Sequence, residues 1–132
     1  MAFGIIIVTH GEIGSSLVET VHKILGHNPR LDAMGLDWDV DFEVAKKELG
    51  KKIDAKREKE GVLIFTDMFG GTPNNVALGF YQNPGVEIVS GVNLPLIMKA
   101  LTLKEDTTVE DACQILKDEI QKTIYIAGDL LG

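Results

Sequence analysis

With one cysteine among 132 residues, the chain can form no intrachain disulfide and no cysteine-based metal site. Cys113 falls in the apolar-periodic run Val109 to Ile120, where a small core hydrophobe is its expected role. No apolar stretch approaches the roughly 18 residues that a bilayer span requires, so direct membrane insertion is not expected. Basic residues are the minority, 13 against 20 acidic, for a net charge of -7. An acidic chain without a basic cluster argues against nucleic acid and anionic membrane surfaces, and favours protein partners with a basic or neutral docking face. The charge-dense run Lys51 to Glu60 mixes both signs and reads as a solvated helix face. Repeats, linkers and low-complexity segments are also missing, so nothing divides the chain. It opens almost directly into an apolar strand, so no leader is expected and the expected location is the cytoplasm.

What the chain does have is enough apolar residue, 45%, to bury the core of one domain. The run Gly4 to Thr9 contains four β-branched aliphatics and reads as a strand buried on both faces. Leu17, Val18, Val21, Ile24 and Leu25 then recur at helical spacing, with Ser15 or Ser16 as N-cap and Gly26 near the stop. Leu31 to Leu36 is a weaker, edge-like strand. Phe42, Ala45, Leu49 and Ile53 mark one face of a long charged helix. Val62 to Thr66 is a second buried strand, and Val76 to Tyr81 follow a Pro73 suited to a first helical turn. Val86 to Ser90 is the next strand and Pro95 to Leu101 a short helix. Thr107 to Asp111 holds two overlapping capping boxes before a helix ending near Lys122. Thr123 to Ala127 is a candidate final strand. Strands alternating with helices imply a doubly wound, three-layer α/β domain over residues 1–132, with a mostly parallel central sheet.

His10 lies where the first buried strand runs out, at the sheet end where ligands gather in open α/β folds. Taken alone it reads equally as a solvated strand cap. Asp67 falls just past the carboxyl end of the second buried strand, on the same rim. Gly70-Gly71 allows a sharp turn with bare N–H groups, and Thr72-Pro73 reads as an N-cap followed by the first helical position. Free amides and the positive end of a helix dipole make an anion site. A carboxylate that fixes the imidazole tautomer leaves the other ring nitrogen free as a nucleophile, and the amides would hold phosphoryl oxygens. The constellation therefore points to a phosphohistidine. Each element by itself also fits an ordinary turn, loop or helix start.

Three segments, Ile7 to Gly11, Thr66 to Asn74 and Ser90 to Pro95, resemble in order and spacing the signatures of the mannose-family IIA component of the phosphoenolpyruvate-dependent sugar phosphotransferase system. The resemblance spans nearly the whole chain. It implies that His10 accepts a phosphoryl group from the phosphocarrier HPr on Nε2 and passes it to a IIB component. It further implies that Asp67 orients His10 through Nδ1, and that Gly70, Gly71 and Thr72 contact the phosphate. Thr9, Gly11, Thr66, Met68, Phe69 and Asn93 would line the pocket. No metal or cofactor is required, since amides and a helix terminus supply the positive potential. Homodimers, some with an exchanged C-terminal strand, are common in the family, which makes Thr123 to Ala127 the candidate swapped edge. With no IIB unit in this sequence, a separate IIB chain is expected, with association to a membrane IIC/IID complex as its extension. A regulatory module, switched by His10 phosphorylation without sugar uptake, is the alternative. Glu12 departs from expectation by placing a negative charge beside the acceptor.

His22 and His27 carry no surrounding motif and are expected to be plain surface histidines. A zinc site from His10, His22 and Asp67 lacks ligand spacing. Trp38, in Asp37-Trp38-Asp39, is expected to pack or to face a partner. Met68 and Phe69 are expected either as an apolar docking lip or as partly buried core. A flavin-binding domain of flavodoxin type leaves the Asp67 to Pro73 segment unused. A receiver domain phosphorylated on Asp67 needs an acidic pair where Thr9-His10-Gly11 stands.

Overall fold

Residues 2–132 are described by a computed structural model. The order is β1 (Gly4–His10), α1 (Ile13–Leu25), β2 (Leu31–Leu36), α2 (Phe42–Lys56), β3 (Val62–Thr66), α3 (Gly71–Leu78), β4 (Val86–Ser90), α4 (Leu94–Leu101) and α5 (Val109–Glu119). A 3-10 turn, Ile120–Thr123, and a short α6 (Ala127–Leu131) follow. The four strands are all parallel, in the order β2-β1-β3-β4. This confirms the three-layer α/β architecture.

Alternation along β1 builds the two cores. Ile5 and Ile7 face a cluster with Phe3, Val21, Leu63, Phe65, Leu96 and Leu116, under α1, α4 and α5. Ile6 and Val8 face the opposite cluster with Leu49, Ile53, Ile64 and Val76, under α2 and α3. A strand buried on both faces must be apolar throughout, which is why β1 and β3 show no polar alternation. The chain leaves β1 toward β2, then returns through α2 to β3 on the other side. β1 and β3 therefore flank the topological switch point, where open α/β sheets form their crevice. Val8 pairs with Thr66, so His10, the last residue of β1, and Asp67, the first past β3, emerge side by side.

Several boundaries differ from the sequence reading. α1 starts at Ile13; Glu12 holds the N-cap position without a side-chain cap, and Ser15 Oγ donates back to Glu12 O at 3.1 Å. α3 starts at Gly71 with Gly70 at the N-cap position, so Thr72 is not the cap and Pro73 is the third helical residue. That is tolerated because a first-turn N–H has no partner within the helix to lose. α3 ends at Leu78, before Phe80 and Tyr81. Of the two capping boxes, the second is used: Asp111 N donates to Thr108 Oγ1 at 3.0 Å. α5 ends at Glu119. Thr123 to Ala127 is not a strand of this chain's sheet. Ile124 and Ile126 have extended dihedrals but pair with no strand here.

Arg30 is a buried cation that the sequence reading did not single out. Its Nε donates to Phe3 O at 2.8 Å and its guanidinium lies over the Phe3 ring, at the opposite end of the sheet from His10. Burial lowers its pKa, opposed by Glu58 and Glu105. Cys113 is part of the core-facing side of α5, and burial, with Glu87 nearby, pushes its thiol up to about 12. It is a neutral packing group.

Candidate active site

The Asp67 carboxylate determines the state of His10. Its Oδ2 accepts the His10 backbone N–H at 3.0 Å and lies 2.7 Å from His10 Nδ1. Its Oδ1 accepts the backbone N–H of Met68 at 3.1 Å. Burial raises the Asp67 pKa, but the hydrogen bonds and charge of His10 outweigh it, so the group sits below its ordinary value. An ionised carboxylate only accepts, so Nδ1 must be the donor, and in the neutral ring the lone pair is on Nε2. The neutral ring is thereby held in one tautomer, with its side chain 22% exposed, an arrangement able to offer Nε2 to an electrophile.

Nε2 faces the start of α3. A Cβ placed on Gly71 would stand 3.3 Å from Nε2 and 3.2 Å from Cε1, so the amino end of the helix touches the imidazole only because this residue has no side chain. Gly71 also holds φ +83°, a region that costs side-chain-bearing residues about 1–3 kcal/mol. The first-turn amides of Gly71 and Thr72 have no acceptor within the helix, and Gly70 offers no side-chain cap, so an uncapped helix start stands next to the imidazole. Thr72 is exposed at the second helical position. Gly71→Ala is expected to destabilise the fold by about 1–3 kcal/mol in urea titration and to slow any reaction at Nε2. An unchanged midpoint would mean that the loop relaxes freely.

Other expected site residues divide into structural and exposed groups. Buried Thr9 accepts the Gly14 N–H at 2.8 Å and donates to His10 O at 3.1 Å, tying the strand end to α1. Gly11 N donates to Leu36 O at 2.9 Å, so β2 secures the turn after His10. Thr66 Oγ1 donates to Ser90 Oγ at 2.8 Å, which donates to the buried Asn74 Oδ1 at 2.6 Å. This relay, whose Ser90 and Asn74 were not among the expected site residues, locks the ends of β3 and β4 to α3. Asn93 has both polar ends engaged: it caps α4 through Leu96 N at 3.0 Å and donates to Thr123 Oγ1 at 3.2 Å. Met68 and Phe69 are 54% and 80% exposed, which excludes the core alternative.

The ring of Trp38 lies against His10, centroids 5.1 Å apart and planes tilted by 31°. The contact follows from sheet register: β2 is the parallel neighbour of β1, and His10 pairs with Leu36, two residues before Trp38. His22 and His27 form a separate surface pair, centroids 4.6 Å apart. Among the described residues, no group of three or more His, Cys, Asp or Glu side chains could hold a metal ion.

A family model described as "PTS system fructose IIA component" matches residues 4–117. The chain belongs to the EIIA-man family. It is 27% identical over 128 residues to the PTS system fructose-specific EIIA component of Bacillus subtilis, covering 96% of this chain and 88% of that one. It is 25% identical over 107 residues to the mannose-specific EIIAB component of Escherichia coli K12, and spans 33% of that longer protein. A PTS IIA protein associated with the fucose utilization operon of Streptococcus pneumoniae superposes with a TM-score of 0.85 at 25% identity, covering 100% of both chains. An EIIA-man component is a component of a sugar phosphotransferase system, and His10, Asp67 and the α3 terminus all lie within the matched segment.

Proposed function

We propose that this EIIA-man component is a phosphocarrier that accepts a phosphoryl group from phospho-HPr on His10 and passes it to a separate IIB component for carbohydrate uptake. The observation that carries this reading is the 2.7 Å contact of Asp67 Oδ2 with Nδ1, which commits the Nε2 lone pair to attack. In the transfer, that lone pair forms a bond to phosphorus while the bond to the donor breaks, its electron pair leaving with the donor. Nδ1 keeps its proton throughout. The ring becomes cationic as the bond forms, and the Asp67 carboxylate stabilises that charge. The Gly71 and Thr72 amides receive the phosphoryl oxygens, with Gly70 turning the chain into position and the Thr72 hydroxyl as an added donor. The second transfer, to IIB, reverses the same steps. No step requires a metal. The experiment is intact-protein mass after incubation with phosphoenolpyruvate, Enzyme I and HPr; one acid-labile phosphoryl group is expected.

The reading extends to a cytoplasmic homodimer that works beside a membrane IIC/IID complex. Among the described residues, no helix is long and apolar enough to cross a membrane. The last residues leave Ile124, Tyr125, Ile126, Leu130 and Leu131 exposed, an apolar set that a single copy does not cover. β4 is an edge strand, and a groove beside it is lined by Val89, Leu96, Cys113, Leu116 and Ile120. An extended Thr123 to Ala127 from a second copy would pair with that edge and fill the groove. Replacing Ile124 and Ile126 together by Asp should convert a dimer to monomer in sedimentation velocity. A wild-type chain that sediments as a monomer at micromolar concentration would overturn the assembly.

A further inference from the structure

Trp38 is the chain's single tryptophan, and core packing does not account for it: 88% of its surface is exposed. It is nevertheless well placed. Val40 N donates to Asp37 O at 3.2 Å, closing a turn around it, and the Gly11 to Leu36 hydrogen bond fixes that turn beside His10. Trp38 lies against the imidazole, and Met68 and Phe69 stand exposed on the loop just past Asp67. One large apolar side chain thus lies against the acceptor, and two more stand in water on the loop that follows its carboxylate partner.

Charge in the strand-end loops of this rim has one sign, while Lys122, next to the Thr123 that Asn93 bonds, is paired with Glu119 at 3.7 Å. The segments that form those loops, 9–14, 36–41, 66–74 and 90–94, contain Glu12, Asp37, Asp39, Asp41 and Asp67 but neither lysine nor arginine. Glu12, Asp37, Asp39 and Asp41 are all exposed. Such a rim repels a bare phosphate or a small phosphorylated acid. A phosphoryl group approaches this rim more readily when its carrier brings positive charge to offset the repulsion.

We propose that Trp38 anchors the docking surface for the phosphoryl-donor protein, and that this donor presents an apolar patch beside its phosphorylated residue, rimmed by Lys or Arg. The inference rests on the phosphocarrier reading of His10. An apolar centre inside a polar rim is the anatomy of a protein interface, and tryptophan is prominent among residues whose truncation costs most binding. The acidic rim steers the basic donor and rejects acidic competitors, so specificity comes partly from repulsion. Glu12, unexpected beside a phosphohistidine, belongs to that rim.

The test is the initial rate of phosphorylation of the full chain at rising phospho-HPr concentration, for wild type, Trp38→Ala and Trp38→Phe. Trp38→Ala should raise KM by about thirtyfold or more, with kcat within about threefold of wild type, and Trp38→Phe should fall between them. Unphosphorylatable HPr should shift the wild-type tryptophan emission to shorter wavelength, and added salt should raise KM. With phosphoramidate, a small donor that has no docking surface, Trp38→Ala should lose far less of its rate than it loses with phospho-HPr at low concentration. An unchanged KM and emission, with wild type still phosphorylated on His10, would overturn the anchor and leave the phosphocarrier reading standing. A fall in kcat at constant KM would also overturn it, because Trp38 would then act on the imidazole and not on the partner. Failure of wild type to be labelled by either donor would overturn both.

Discussion

His10→Ala is expected to carry no phosphoryl group after incubation with phosphoenolpyruvate, Enzyme I and HPr, under conditions that label the wild-type chain once. The expectation rests on the site having a single nucleophile. Met68, Phe69, Gly70 and Gly71 offer none, and Asp67 is an acceptor of three N–H groups whose carboxylate is engaged by hydrogen bonds at both oxygens. Thr72 is exposed, but an alcohol is a weak nucleophile unless a base activates it, and this variant removes the imidazole beside the start of α3. His22 and His27 lie on α1 and the following turn, away from α3, so His22→Ala and His27→Ala should retain full labelling. The His10 side chain is partly exposed at a strand end, so its truncation should leave the fold and its circular dichroism intact. Label surviving on His10→Ala would place the acceptor elsewhere and end the phosphohistidine assignment.

Much of this site was legible because the chain marks its strand ends with unusual residues. A histidine after Ile5 to Thr9 and an aspartate after Val62 to Thr66 each stand at the point where an apolar run stops. Parallel strands buried on both faces bring such ends to one rim. What the residues alone did not state is which strands are neighbours. The pairing of Val8 with Thr66 makes His10 and Asp67 contacts, and the pairing of His10 with Leu36 brings Trp38 to the imidazole. Both are consequences of register, a long-range property. The helix starts were misplaced for a local reason. Thr72-Pro73 has the form of a cap and first helical residue, but two glycines at positive φ allow α3 to begin earlier, and proline is harmless anywhere in the first turn. The residues after Thr123 show strand composition without a strand: Ile124 and Ile126 are extended, but the sheet of this chain ends at β4 without them.

Asp67→Ala should slow phosphoryl transfer by about 10²- to 10⁴-fold while the protein remains folded. Without the carboxylate, nothing requires Nδ1 to be the donor. A fraction of the rings then carries the proton on Nε2 and cannot attack, and the cationic ring formed during transfer loses its adjacent counter-charge. Asp67→Asn separates these effects: its carbonyl oxygen can still accept Nδ1–H, but the charge is gone, so its rate should lie between those of Ala and wild type. Stability should respond as well. The folded-state pKa of Asp67 is depressed, so its contribution is fully present above the ordinary aspartate value near about 4 and disappears as pH falls through the lower folded value. On acidification below about pH 4, the difference in unfolding free energy between wild type and Asp67→Asn should therefore shrink. A rate equal to wild type in both variants would mean that the 2.7 Å contact positions nothing that matters to transfer. A normal rate with the pH-dependent stability difference intact would leave Asp67 as a structural partner of the His10 turn and move the choice of tautomer to the amino end of α3.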